Sequence, residues 1–267
     1  MPEHLYRLPP EIVEYYIIDH LHDDKNSLKN CSLVSRSWVP RTRQHLFNEI
    51  GFWGPRKLEA WKRTFPNPAV SPAHHVRSLS VPLNKVDATD YSRWIKSFDC
   101  ITRLEVHDFD QDCSKHQMNV CHGLSKFVKS LRVFCNSSAG LSKFLAFVCS
   151  YPSLEDLEVK VARFTDEIDE DEATFQPSTS PLFTGTLKLN CHLEDITSSL
   201  LDLPGGLRFK KIVWKVRSPV GELGLQPVMA LVERCSDTLE CIDIDLKRKR
   251  GPCRSCSGWY LTDFRVH

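Results

Sequence analysis

The chain has no excess of either charge: 35 Lys and Arg stand against 34 Asp and Glu, for a net of +1. That balance gives no case for a general nucleic-acid or membrane-surface binder. No apolar run approaches the length of a bilayer span. The first residues, Met1-Pro2-Glu3-His4, are polar and lack a basic region followed by an apolar one, which predicts no secretory signal. Catalytic signatures are missing as well. There is no Gly-x-Ser-x-Gly elbow, no Walker loop and no Gly-x-Gly-x-x-Gly after a strand. Gly205-Gly206 follows Pro204 and reads as a turn. Histidines and carboxylates occur, but no spacing singles out a pair for acid–base work. Metal half-sites do not pair either. Cys253-x-x-Cys256 stands alone, and Cys113, His116, Cys121 and His122 are loosely spaced. These absences predict no metal, no cofactor and no catalysis by this chain.

What is present is ordinary in bulk and particular in order. A length of 267 residues leaves room for one small module and one larger one, and 41% hydrophobic content suits a soluble globular chain. The 11 cysteines are expected to be mostly free thiols, with Cys31, Cys149 and Cys235 at apolar positions acting as small hydrophobes.

The first fifty residues predict three short amphipathic helices. Pro9 and Pro10 suit an opening turn, and Glu11 sits near the positive end of the dipole. Ile12, Tyr16, Ile17, Ile18 and Leu21 recur at helical spacing. Asn26 or Ser27 reads as the cap of a second helix carrying Leu28, Cys31, Leu33 and Val34. Ser35 or Ser37 caps a third, which holds Pro40 in its first turn and carries Trp38, Thr42, Leu46 and Phe47. A unit this small leaves apolar surface for a partner to cover.

This order of residues resembles the F-box, in its fungal form. The pattern runs Leu-Pro-x-Glu, a hydrophobic helix, a Leu-led second helix, then Val-x-x-x-Trp. Here it falls on Leu8, Pro9, Glu11, Ile12, Ile17, Ile18, Leu21, Leu28, Cys31, Val34 and Trp38, within residues 5–50. The resemblance implies binding to a Skp-type adaptor held on a cullin scaffold. Adaptor contacts would then come from Leu8, Pro9, Glu11, Ile12, Ile17, Leu21, Leu28, Cys31, Val34 and Trp38. Two other readings are an ordinary three-helix cap and a helix-turn-helix reader of DNA. The second is weak, because residues 1–50 hold six Lys and Arg against seven Asp and Glu.

Beyond a short helix at Leu58–Arg63 and a connection through Pro66, Pro68 and Pro72, one motif recurs. It begins as Val76-x-x-Leu79-x-Val81 and returns around Leu104, Leu131, Leu157, Leu187, Ile212 and Ile242, at steps of 25, 27, 26, 30, 25 and 30. Helices are expected between the motifs, at 88–98, 119–128, 141–149, 193–201 and 226–235. Alternating strand and helix at a near-constant step predicts parallel strands joined by crossovers. The series resembles an irregular leucine-rich repeat. The position that family fills with Asn or Cys holds Asn84 and Asn136 here, but Phe109, Ala162, His192, Arg217 and Lys247 elsewhere. The bland alternative is an ordinary α/β sheet.

The expected fold class is therefore α/β. A three-helix F-box over 1–50 and a linker helix with its Pro-rich connection over 51–73 come first. A leucine-rich-repeat-like solenoid with parallel strands follows over 74–267. Side chains alternate along a strand, so Leu79 and Val81 facing inward leave Ser78, Ser80 and Pro82 facing outward. The same rule places Arg103, Glu105, His107, Arg132, Phe134, Glu158, Lys160, Lys211 and Lys215 on one outer surface. These are the candidate contacts to an unknown target protein, with no nucleic acid and no membrane among the partners. Most of them also suit a simply solvated face. Lys247–Arg250 reads as a solvated basic turn, and Asp166–Glu172 with the Ser/Thr/Pro-rich 176–181 as a loop between units. Trp259-Tyr260-Leu261 and Phe264 offer a final capping strand. The resemblance implies a substrate-recognition subunit of a cullin-RING ubiquitin ligase. An interaction scaffold without ligase work and an enzyme with a loop-built site are the rivals.

Overall fold

The computed structural model describes residues 9–83, 94–110, 118, 121, 123–124, 126–165, 181–190, 193–203, 205–216 and 226–246. Leu8, Asn84, His192, Arg217, the Asp166–Glu172 run, Lys247–Arg250 and the Cys253–Cys256 half-site lie outside them. So do Cys113, His116, His122 and parts of the helices expected at 88–98 and 119–128.

Eight parallel strands form one sheet whose order follows the chain, β1 to β8 without a reversal. They are β1 (Glu49–Gly51), β2 (Ser78–Pro82), β3 (Arg103–His107) and β4 (Ser130–Gly140). β5 (Asp156–Thr165), β6 (Thr186–Leu189), β7 (Lys211–Val216) and β8 (Cys241–Leu246) follow. The middle residues of the recurring motif pair in register: Leu79 with Leu104, Leu104 with Leu131, and so on to Ile212 with Ile242. From Leu79 to Ile212 this column is fully buried, with its companion Val81, Val106, Val133 and Val159. Each such side chain contributes about 1.5–3 kcal/mol.

A second regularity marks the start of each strand. The carbonyl of Arg77 accepts from both Thr102 N–H and Arg103 N–H (2.9 Å each). Asn48, Thr102, Lys129, Gly185 and Lys210 repeat this double acceptance toward the next strand. At Glu155 the pattern changes. Its carbonyl takes only Gly185 N–H, while Thr186 N–H donates to the Asp156 carboxylate at 2.6 Å. A Cβ at Gly185 would collide with that carboxylate, so glycine is needed there.

The strand β1 was not expected. Its motif, Phe47-x-x-Ile50-x-Phe52, copies the others, with Ile50 opposite Leu79. The position expected to hold a turn asparagine differs too. Phe109 is fully buried there against Phe144 and Phe147, whereas Asn136 is exposed because β4 runs on to Gly140.

Helices α2 (Lys25–Val34), α3 (Val39–Leu46) and α4 (Pro55–Thr64) precede β2. α5 (Leu141–Cys149), α6 (Leu193–Leu201) and α7 (Gln226–Arg234) fall between later strands, as expected. The first helix is irregular: an α turn at Pro10–Ile12 (α1), a π-helical stretch at Val13–Ile18 and a 3₁₀ turn at Asp19–Leu21. π winding brings residues five apart onto one face. Accordingly Val13 and Ile18 are buried, while Ile12 and Tyr16, an α-helical pair, both face solvent. Asp24 rather than Asn26 or Ser27 caps α2, accepting from both of those backbone N–H groups. Ser35 caps the 3₁₀ turn that leads into α3.

Two cores result. Val13, Ile18 and Leu28 form a small one, with Leu21, Trp38 and Leu46 packed on it. The sheet core is far larger, and Phe47 at the end of α3 belongs to it. Phe47 meets Trp61 and Phe65 edge-on at 5.9 and 6.0 Å. That aromatic joint, together with β1, ties the N-terminal unit to the sheet.

Candidate interaction surfaces

Of the residues expected to meet an adaptor, Pro9 and Glu11 are exposed, Ile12 and Ile17 are each 39% exposed, and Val34 is 70% exposed. Leu21, Cys31 and Trp38 are half-buried. Leu28 has no accessible surface, so its place is in the small core. Sequence reasoning passed over Tyr15, and placed Tyr16 and Leu33 on apolar helix faces without naming them as adaptor contacts. All three are exposed, Tyr16 at 72%.

Behind this surface stands one charged hub. The Asp19 carboxylate accepts from Arg41 Nε (2.6 Å) and from the Arg41 Nη2 group, and meets His45 Nε2 at 2.7 Å. The Arg41 guanidinium is the main reason its carboxyl is held at about 2, with the His45 contact adding to it. Arg41 also lies over the Tyr15 ring at 5.2 Å.

The second surface is the outer face of the sheet, where two rows run side by side across the strands. One row alternates in charge. Arg132 lies 3.6 Å from Glu105 and 3.2 Å from Glu158, and Lys188 reaches Glu158 at 4.0 Å. The other row is a stack of rings. His107 lies between Trp53 (4.3 Å) and Phe134 (4.8 Å, planes 4° apart), and Lys160 sits over Phe134 at 5.3 Å. Glu105 joins the rows by meeting His107 Nε2 at 2.7 Å.

Seven of the nine sheet residues expected to meet a target take their predicted places in or beside these rows. Arg103 and Lys211 lie one register step back, in line with Ser130 and Thr186. The outward column is not uniformly open, because Ser80, Pro82 and Val213 are buried in it. Lys188 and Trp53 were missed. Lys188 belongs to a motif read only in part. Trp53 follows β1, the unread strand, and its signal was the uncounted copy of the motif at Phe47. It is 56% exposed. Gly51 makes room for it, since a Cβ there would strike the indole nitrogen.

Among the described residues no three His, Cys, Asp or Glu side chains gather as a metal site. Burial pushes the Cys149 thiol up to about 11 and raises those of Cys135 and Cys235, which makes them poor nucleophiles. Among the described residues no helix is long and apolar enough to cross a membrane. Rows of rings and paired charges on a rigid sheet suit protein recognition. No family model, curated protein or solved structure matches this chain.

Proposed function

We propose that the chain is a non-catalytic substrate-recognition subunit of an SCF-type cullin-RING ubiquitin ligase. The N-terminal unit would hold a Skp-type adaptor and the outer sheet face a target protein. One observation carries this reading. A unit with a core of three buried residues leaves Ile12, Tyr15, Tyr16, Ile17, Leu33 and Val34 open to water. Apolar surface of that kind marks an interaction site. Several of these residues also stand where the F-box pattern places its contacts.

The sheet supports a leucine-rich-repeat-like solenoid for the second end. Its strands follow chain order, so each unit buries its apolar column only against its neighbours. A doubly wound sheet would reverse at a switch point. The irregular turn positions at Phe109 and Asn136 mark a departure from the regular repeat.

Capture of a purified Skp-type adaptor by the full chain tests the proposal. Wild type should bind. Ile17→Asp with Val34→Asp should weaken capture at least about thirtyfold, or about 2 kcal/mol. Both side chains are exposed, so the melting temperature should hold. A wild-type chain that captures no adaptor would sink the assignment. Capture without cullin recruitment or a ubiquitylated target would move it to an interaction scaffold.

A further inference from the structure

The charges on the outer face are unevenly committed. Glu105 is met by His107 and Arg132, Glu158 by Arg132 and Lys188, and Asp156 by Thr186 N–H. The carboxylates between β3 and β7 are thus engaged within the fold. Arg132 and Lys188 are taken up in these pairs, but three lysines are not. Lys160 rests its amine on the Phe134 ring, and among the described residues Lys211 and Lys215 meet no carboxylate within 4.0 Å. Along the same row the rings of Trp53, His107 and Phe134 give way to a stretch of Lys160, Asn190 and Lys215. Asp243 and Asp245 on β8 bound that stretch on its far side.

We propose that this row recognises an acidic segment of the target that carries an aromatic side chain beside its carboxylates. The inference rests on reading the sheet face as the target-binding end. Both halves of the ligand follow from chemistry on the surface. A half-exposed indole packed at a tilt against an imidazole offers an apolar shelf for another ring. Lysines without a carboxylate partner attract carboxylates and repel a basic segment. The spacing follows from the sheet. Phe134 on β4 and Lys215 on β7 are three strand steps apart, about 14 Å at ~4.8 Å per step. An extended segment covers that in about four residues.

The probe is a fluorescein-labelled synthetic peptide: one Trp, a short Gly-Ser spacer, then a run of Asp and Glu. Anisotropy with the full chain should show saturable binding that weakens as salt rises. Lys160→Glu with Lys215→Glu should weaken it about tenfold or more, and Trp53→Ala by a similar factor. Lys57→Glu, an exposed reversal on α4, should change nothing. Thermal melts of every variant should match wild type. The proposal fails if the peptide does not bind. It fails equally if Asn and Gln replace the carboxylates without loss, if only a phosphorylated version binds, or if the lysine reversals are silent. Adaptor capture on the same preparations reports separately on the N-terminal unit. A chain that captures adaptor but ignores the peptide loses this inference alone.

Discussion

Asp19 joins two helical segments that are otherwise held by few apolar contacts. Its folded carboxyl stands at about 2, below the ordinary 3.8, so the folded state prefers it ionised. Its contribution is therefore complete above the ordinary value and is lost as pH falls through about 2. Acid titration followed by circular dichroism should show the N-terminal helices of wild type weakening over that window. Asp19→Asn should be less stable at neutral pH and should show a shallower acid slope. Equal slopes would remove Asp19 from the account. At this scale the outer rows were legible, because alternation along a strand sorts inward from outward residues without further information. The Asp19 hub was not. Arg41 and His45 lie 22 and 26 positions away, and no local pattern announces such a meeting. Val13 was missed for another reason: its spacing of five from Ile18 belongs to π winding, and the residues were sorted by the α-helical period.

The elements divide between the two cores, and their dependence on single side chains should divide as well. Leu28→Ala empties a site in a core of three buried residues, at a cost of about 2–5 kcal/mol. Hydrogen exchange should then rise across α2 and α3 while β3–β7 stay protected. Leu131→Ala removes a side chain from the centre of the sheet column at a similar cost, and its loosening should spread through β3, β4 and β5. Global unfolding by Leu28→Ala would show that the cores are one. Helices α5 and α6 were read to their last residues because strand motifs and polar turns bracket them. β4 and β5 were read short. Both continue beyond the motif and pair again past an irregularity between Cys135 and Ser138, where alternation breaks down.

For the whole molecule, β1 changes where the chain can be divided. A boundary after residue 50 looks natural from composition, yet it cuts a strand that is in register with β2. A chain beginning at residue 52 would lack Phe47 and Ile50 from the sheet core and leave β2 as an unpaired edge. Such edges invite association. Size-exclusion chromatography should show that shortened chain aggregating, and the full chain not. A monodisperse, cooperatively melting fragment would contradict the structural joint drawn at Phe47. The strand order itself was legible, since a constant step leaves each strand only its predecessor and successor as neighbours. The N-terminal limit of the sheet was not, because its first motif lies inside the segment that reads as a separate helical unit.

The shared carbonyls at the strand starts have a mechanical side. Six carbonyls each hold two consecutive N–H groups of the following strand, so every neighbouring pair of strands closes on a small, local clasp. Pulled apart at β1 and β8, the sheet would load its clasps in turn, because load passes from strand to strand along the chain. It would open like a zip, at low force and in a series of small extensions. β5–β6 differs from its neighbours in relying on a side chain, Asp156, for half of its clasp. That makes it the step whose rupture force should fall when Asp156 is replaced by alanine.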